Sequence, residues 1–277
     1  MDLVFHKMHG LGNDFILLDC RQQAFTLTAA QIDSIGDRRT GIGFDQLLVI
    51  ESSTREGVHA NYRIFNQNGS SAEHCGNGVR CVAQFLHERL PGHPHTIVVE
   101  IAGKLFELKI LDDGRIRVDM GAPIFEPSQI PAQFDQRALK YTVEINGEQQ
   151  ELGAVSMGNP HAVLRSNNVE GAPVMALGTA LQTSEYFPAQ VNVGFVENRA
   201  RNHIRLRVWE RGVGETRACG TGACAAVVVG RVWGDLDERV NVQLPGGELE
   251  IEWAGGDTDS VWMTGPAAYV FEGRIEL

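Results

Sequence analysis

Cys75 opens the stretch Cys75-Gly76-Asn77-Gly78, and 144 residues later Cys219 opens Cys219-Gly220-Thr221-Gly222. Each copy runs into an apolar stretch of helical length. A thiol just before a helix start sits where orphan backbone N–H groups and the helix dipole favour anions, so its thiolate forms more easily. Two such thiols in related settings suit a reaction that treats two faces of one substrate alike. Racemisation and epimerisation are reactions of that kind.

Inverting an α-carbon means removing its proton from one face and returning one to the other. An amino-acid α-proton is far less acidic than a thiol, and a gap of roughly ten to twenty pKa units amounts to about 14–27 kcal/mol. One well-placed oxyanion donor contributes about 3–4 kcal/mol. Two helix N-termini directed at the substrate carboxylate supply several donors and two dipoles. Gly76, Gly78, Gly220 and Gly222 let backbone N–H groups approach a ligand closely. No lysine motif announces pyridoxal phosphate, so the expectation is an enzyme without a cofactor and without a metal.

The duplication extends beyond the thiols. Phe65-Asn66 precedes Cys75 by the interval that separates Trp209-Glu210 from Cys219. Gly12-Asn13 recurs as Gly158-Asn159, and Asp45-Gln46 is matched by Val191-Asn192, both at an offset of 146 residues. Ordered recurrence at near-constant spacing reads as two homologous halves. Singly, each asparagine would read as a turn or cap residue.

The chain has 277 residues, a formal charge of −11 and a pI near 5.3. An acidic surface argues against nucleic acid and anionic membrane as partners. The first ten residues show no apolar signal core, and no apolar run approaches membrane-spanning length, so the expected location is the cytoplasm. Five cysteines without a close CxxC pair fit neither a zinc ribbon nor a thioredoxin motif. Cys20, Cys81 and Cys224 read as small buried core residues. No dinucleotide fingerprint or GK[ST] phosphate loop is present.

Runs rich in Val, Ile, Leu and Phe predict strands over 15–18, 47–51, 62–65, 96–101, 106–111 and 116–119, then 153–156, 193–196, 204–209, 240–244, 249–253 and 261–264. Asp112-Asp113-Gly114 and Asn146-Gly147 predict hairpin turns. A capping box at Thr28 begins a short helix ending near Asp37. Two further helices start at Gly76 and Gly220. The second is apolar on nearly every side and must be surrounded by protein. The expected fold is α+β, with two pseudo-symmetric halves that each wrap a curved, mostly antiparallel sheet around one central helix. The expected halves are residues 1–119 with 265–277, and residues 120–264, with the active site in the cleft between them. Pro123, Pro127 and Pro131 mark the crossover.

The motif His74-Cys75-Gly76-Asn77-Gly78-Val79-Arg80-Cys81, together with Ala218-Cys219-Gly220-Thr221-Gly222-Ala223-Cys224, closely resembles the diaminopimelate epimerase family. So do 9–15, Gly43-Phe44-Asp45-Gln46, 65–69, Gly158-Asn159-Pro160-His161 and Glu210-Arg211-Gly212. The resemblance runs from about residue 4 to the C-terminus. It implies a cofactor-independent isomerase that interconverts LL- and meso-diaminopimelate for lysine and peptidoglycan synthesis, and a homodimer. It further implies that Cys75 and Cys219 exchange the roles of thiolate base and thiol acid, with Cys75 written as donor and Cys219 as acceptor. His161 and Glu210 would lie near the reacting centre. Gly76, Asn77, Gly220 and Thr221 would hold the reacting carboxylate. Asn13, Gln46, Asn66, Asn159, Asn192, Glu210 and Arg211 would line the rest of the site.

That lining suits a ligand with two ammonium and two carboxylate groups, because amides both donate and accept. Arg211 can grip a distal carboxylate and Glu210 can accept from an ammonium. His161 has Phe15 as its counterpart, and Glu210 has Asn66. Arg80 and Arg217 read as charges on the surface or behind the site. One alternative is a proline or hydroxyproline racemase, which would need no residue such as Arg211. The other is a thiol redox or metal-binding protein, which would leave the amides unexplained.

Overall fold

The computed structural model describes residues 2–72 and 76–277. Contacts within the chain divide it into two units, Met1–Val118 with Gly265–Leu277, and Asp119–Thr264. In the first unit the order is β1 (Asp2–Gly10), β2 (Asn13–Asp19), α1 (Ala29–Gly36), β3 (Gln46–Glu51), β4 (Ala60–Asn66), β5 (Ser71–Ala72), α2 (Gly76–Arg89), β6 (Thr96–Ile101), β7 (Lys104–Ile110) and β8 (Ile116–Asp119). The second holds β9 (Tyr141–Ile145), β10 (Glu148–Ser156), β11 (Pro160–Arg165), α3 (Val174–Gln182), β12 (Asn192–Ala200), β13 (His203–Glu210), β14 (Gly214–Thr216), α4 (Gly220–Val232), β15 (Arg239–Leu244), β16 (Gly247–Glu252) and β17 (Trp262–Gly265). The last strand, β18 (Ala268–Glu276), returns to pair antiparallel with β1.

The repeat seen in the sequence is a repeat of strand register. Strands β2 and β3 run parallel with Phe15 opposite Gln46, while β11 and β12 run parallel with His161 opposite Asn192. Leu47 faces Phe65 across β3 and β4, as Val193 faces Trp209 across β12 and β13. Ile64 pairs with Ala72, and Val208 with Thr216. The second parallel pairing puts Asn61 beside Glu100 in one unit and Arg205 beside Gln243 in the other. The remaining pairs within each unit are antiparallel. The fold is thus the expected α+β architecture in two halves.

Parallel neighbours need a crossover connection, and the helices provide it. In each unit the first parallel pair is bridged by a crossover helix, α1 or α3, and the second by a connection carrying the central helix, α2 or α4. Helix α1 forms where expected, with the Thr28 hydroxyl accepting from the Gln31 N–H and the Gln31 side chain accepting from the Thr28 N–H. Helix α3 was not anticipated. It starts after Pro173 with no side-chain cap bond, so it lacks the local start signal, and only the internal repeat pointed to it.

The two central helices are buried as expected. In α4 every residue from Gly222 to Gly230 is buried, and the helix packs against β10, β11, β12, β13 and β16. Helix α2 packs against β1, β2, β3, β6 and β7. The outer face of each sheet carries a separate core. Ile32 and Ile35 of α1 cluster with Ile16, Leu18, Leu47 and Val49, and Val174 and Leu181 of α3 cluster with Leu152, Leu164 and Val193. Both turns predicted from sequence close hairpins. Asn146 and Gly147 adopt φ of 54° and 80° between Ile145 and Glu148, the left-handed pair that a two-residue turn requires.

The contrast between α4 and α3 can be measured. Val228 is fully buried whereas Met175 is 68% exposed. Val228→Ala is expected to lower the unfolding free energy by about 2–3 kcal/mol, and Met175→Ala to leave it within about 0.5 kcal/mol, as read from urea-unfolding midpoints.

Candidate active site

Cys75, with Glu73 and His74, lies outside the described residues. Three of the other site residues of the first unit, Asn13, Gly76 and Asn77, gather at the start of α2. Gly76 and Asn77 are buried in its first turn. The β1–β2 turn, through Leu11 and Gly12, brings Asn13 to the same place. The Asn77 amide donates to Asn13 Oδ1 at 3.2 Å, and the Asn13 amide donates to Asp45 Oδ2 at 2.9 Å. On β3 and β4, Gln46 stands opposite Asn66, and its amide donates to Asn66 Oδ1 at 3.1 Å. Asn66 in turn donates to the Ser70 hydroxyl at 3.1 Å.

In the second unit Cys219 is the N-cap of α4, extended at φ −118°, ψ 107°, with no side-chain cap bond. Gly222 is needed close to it, since a Cβ there would stand 3.2 Å from the sulfur and 3.0 Å from Val208. The sulfur lies 3.6 Å from the Thr221 hydroxyl. A helix N-terminus alone would ease formation of the thiolate, as expected from sequence. The fold reverses this at Cys219. Burial pushes the thiol pKa well up, and the neighbouring Glu210 carboxylate adds to the rise, against the smaller help of Thr221 and the Gly222 N–H. The dipole contributes only about 0.3–1 kcal/mol at most termini, too little to offset desolvation of a buried anion.

Glu210 ends β13. Burial raises its pKa, and hydrogen bonds from Thr216 and from the Cys219 thiol lower it in part. The Thr216 hydroxyl sits on one carboxylate oxygen in a short contact. Thr216 escaped the sequence reading. Its signal was the hydroxyl at a register position where the first unit has Ala72.

His161 on β11 is 1% exposed. Its Nε2 is 2.9 Å from Asn159 Oδ1, which fits an Nε2–H donor. Burial, reinforced by the positive charge of Arg211, drives its pKa down to about 3, so the ring is neutral at physiological pH. Asn192 is buried and spans two strands, donating to the Pro160 carbonyl at 3.3 Å and accepting from the Arg211 N–H at 2.8 Å. The Arg211 guanidinium is exposed and donates to the Ala189 carbonyl at 3.2 Å.

The structure therefore assembles Asn13, Gln46, Asn66, Gly76 and Asn77 in one unit. It assembles Asn159, His161, Asn192, Glu210, Arg211, Cys219, Gly220 and Thr221 in the other. Cys20, Cys81 and Cys224 are buried free thiols, as expected. Arg217 is exposed. Arg80 is fully buried and bonded to Asn77, so of the two places expected for it, on the surface or behind the site, it takes the second. Its place between Val79 and Cys81 on a core-facing helix was the signal.

A sequence model described as "Diaminopimelate epimerase" matches residues 5–126 and 153–270. A protein of that name from Alkalilimnicola ehrlichii is 53% identical over the full length of both chains. Those from Ectopseudomonas mendocina and Pseudomonas aeruginosa are 52% and 51% identical, again over 100% of each chain. The chain belongs to the diaminopimelate epimerase family.

Solved structures carry the same fold at low identity. A hydroxyproline epimerase from Agrobacterium vitis superposes with a TM-score of 0.70 at 13% identity, covering 99% of this chain and 92% of its own. A phenazine biosynthesis protein from Bacillus anthracis gives 0.70 at 16% identity, covering 100% of each.

The neutral His161 links this family site to stability. A histidine titrates near 6.5 when unfolded and at about 3 here, so below pH 6.5 the unfolded chain binds a proton that the folded chain refuses. Stability should fall as pH drops from about 6.5 towards 3, by a few kcal/mol in all. In His161→Phe, which places the residue found at Phe15, this part of the acid slope should vanish from a plot of Tm against pH. Equal slopes in both proteins would assign the loss to other groups.

Proposed function

We propose that this protein interconverts LL- and meso-2,6-diaminopimelate by two-base proton transfer, with Cys75 and Cys219 serving opposite faces of one α-carbon. The observation that carries this reading is Cys219, a buried thiol at a helix start beside the half-buried Glu210 carboxylate, in a chain whose full-length relatives bear that name. The reaction is an isomerisation, lies in lysine and peptidoglycan precursor synthesis and asks for no cofactor.

In the free protein Cys219 holds its proton. It becomes a base by passing that proton to Glu210, a carboxylate whose affinity for protons burial has raised. The thiolate then takes the α-proton, and the Cys75 thiol delivers one to the other face. In the reverse direction the two exchange roles. The N–H groups at Gly76-Asn77 and Gly220-Thr221 stabilise the developing negative charge on the reacting carboxylate. His161, being neutral, orients Asn159 and adds no positive charge. Arg211 takes the distal carboxylate. The expected location is the cytoplasm. A homodimer is part of the same reading.

Incubation with LL-diaminopimelate in deuterated water should yield the meso form with deuterium at one α-carbon. Cys75→Ala and Cys219→Ala should each abolish epimerisation, because each removes the proton carrier for one face. Wild-type turnover by either variant would rule out the two-base mechanism. Arg211→Met should reduce kcat/KM by roughly 30- to several-thousand-fold, the equivalent of about 2–5 kcal/mol for an unpaired ligand carboxylate. Lysine and proline should be very poor substrates. Turnover of either at the rate of diaminopimelate would make the protein a general racemase.

A further inference from the structure

The first half-site contains a fully buried cation that the reaction as described leaves without a task. Arg80 lies in the second turn of α2 with 0% exposure. Its Nη1 donates to the Gly76 carbonyl at 3.1 Å, its Nη2 to Asn77 Oδ1 at 3.0 Å and its Nε to the Pro266 carbonyl at 3.1 Å. The backbone makes room for it at Gly10, where a Cβ would stand 3.1 Å from Nη2 and 3.2 Å from Asn77.

Arg80 is one end of a continuous chain of hydrogen bonds. It donates to the Asn77 oxygen, the Asn77 amide donates to the Asn13 oxygen, and the Asn13 amide donates to Asp45. Asp45 accepts from Arg38 at 2.7 Å on its other oxygen. A guanidinium can only donate and a carboxylate can only accept, while each amide can face either way. With a pure donor at one end and a pure acceptor at the other, both amides are held in one orientation. Their oxygens point towards Arg80, and their N–H₂ groups point towards Asp45.

The second half-site has no need of such a device. Thr221 stands where the first has Asn77, and its hydroxyl rotates to donate or accept as required. Cys224 stands in the register of Arg80 and is a buried thiol. An amide at 77 goes with a cation at 80, and a hydroxyl at 221 goes with none at 224.

We propose that Arg80 is a positioning residue, which fixes the polarity of the Asn77–Asn13 amide pair and, through its bond to the Gly76 carbonyl, holds the first turn of α2 so that its backbone N–H groups face the substrate carboxylate. The proposal rests on the diaminopimelate reading above for the identity of that carboxylate.

The test uses the full-length protein and LL-diaminopimelate. Arg80→Met keeps the length of the side chain and removes its donors. It should raise KM about 10- to 100-fold per folded molecule, with a smaller change in kcat. Arg80→Lys restores one donor and should recover part of the loss, although a lysine cannot serve three directions at once. Asn77→Asp keeps an acceptor for Arg80 but cannot donate to Asn13, and should lose activity at least as severely while remaining folded. Side-chain amide ¹⁵N–¹H signals of Asn13 and Asn77 give a readout that needs no substrate. Both should be slowly exchanging in the unmutated protein, fast in Arg80→Met and intermediate in Arg80→Lys.

A purely structural Arg80 would lower Tm and leave KM, kcat and the pH profile of the folded fraction unchanged, and that result overturns the proposal. Wild-type turnover by Asn77→Asp overturns it as well. Should Arg80→Met fail to fold, Arg80→Lys and Asn77→Asp decide. An unmutated protein inert towards diaminopimelate but with both amides protected overturns the functional reading and leaves the polarity device standing.

Discussion

Each unit buries the N-terminus of a helix inside its own sheet, and the rest of the site follows from that constraint. A helix start carries N–H groups with no partner within the helix, and burial denies them water. At α4 the N-cap is Cys219, whose side chain caps nothing. The dipole at that end also favours negative charge. The same burial needs a helix without a polar face, hence the run Ala223 to Val229, and a sheet that closes round it.

Burial also governs the chemistry of the thiol. Desolvation outweighs the helix dipole at Cys219 and keeps it protonated. Burial likewise raises the proton affinity of the neighbouring Glu210. Thr216 holds one oxygen of that carboxylate, leaving Glu210 fixed in orientation. His161 shows the same effect with opposite sign, neutral because its cation would be stranded in the interior.

The two halves share a register and differ where charge is handled. Phe15 and His161, Asn66 and Glu210, Ala72 and Thr216, Asn77 and Thr221, and Arg80 and Cys224 are paired positions of the repeat. The first unit holds a buried cation among amides. The second holds a half-buried acid beside a buried thiol.

The sequence by itself determined the repeat, the cysteine at the start of α4, the hairpin turns, the buried α4 and the family. These are carried by local periodicity and covalent spacing, such as the offset that sets Phe15 beside Gln46 and His161 beside Asn192. Tertiary structure decided what depends on desolvation and on partners distant in the chain. It buried Arg80 against Pro266, joined Asn13 to Asn77, turned Asn192 to the Arg211 backbone and kept the proton on Cys219. It also formed α3, which has no cap to announce it, as the crossover between two parallel strands. Spacing places a group along the chain, whereas its charge state depends on how far the folded chain removes it from water and what it meets there.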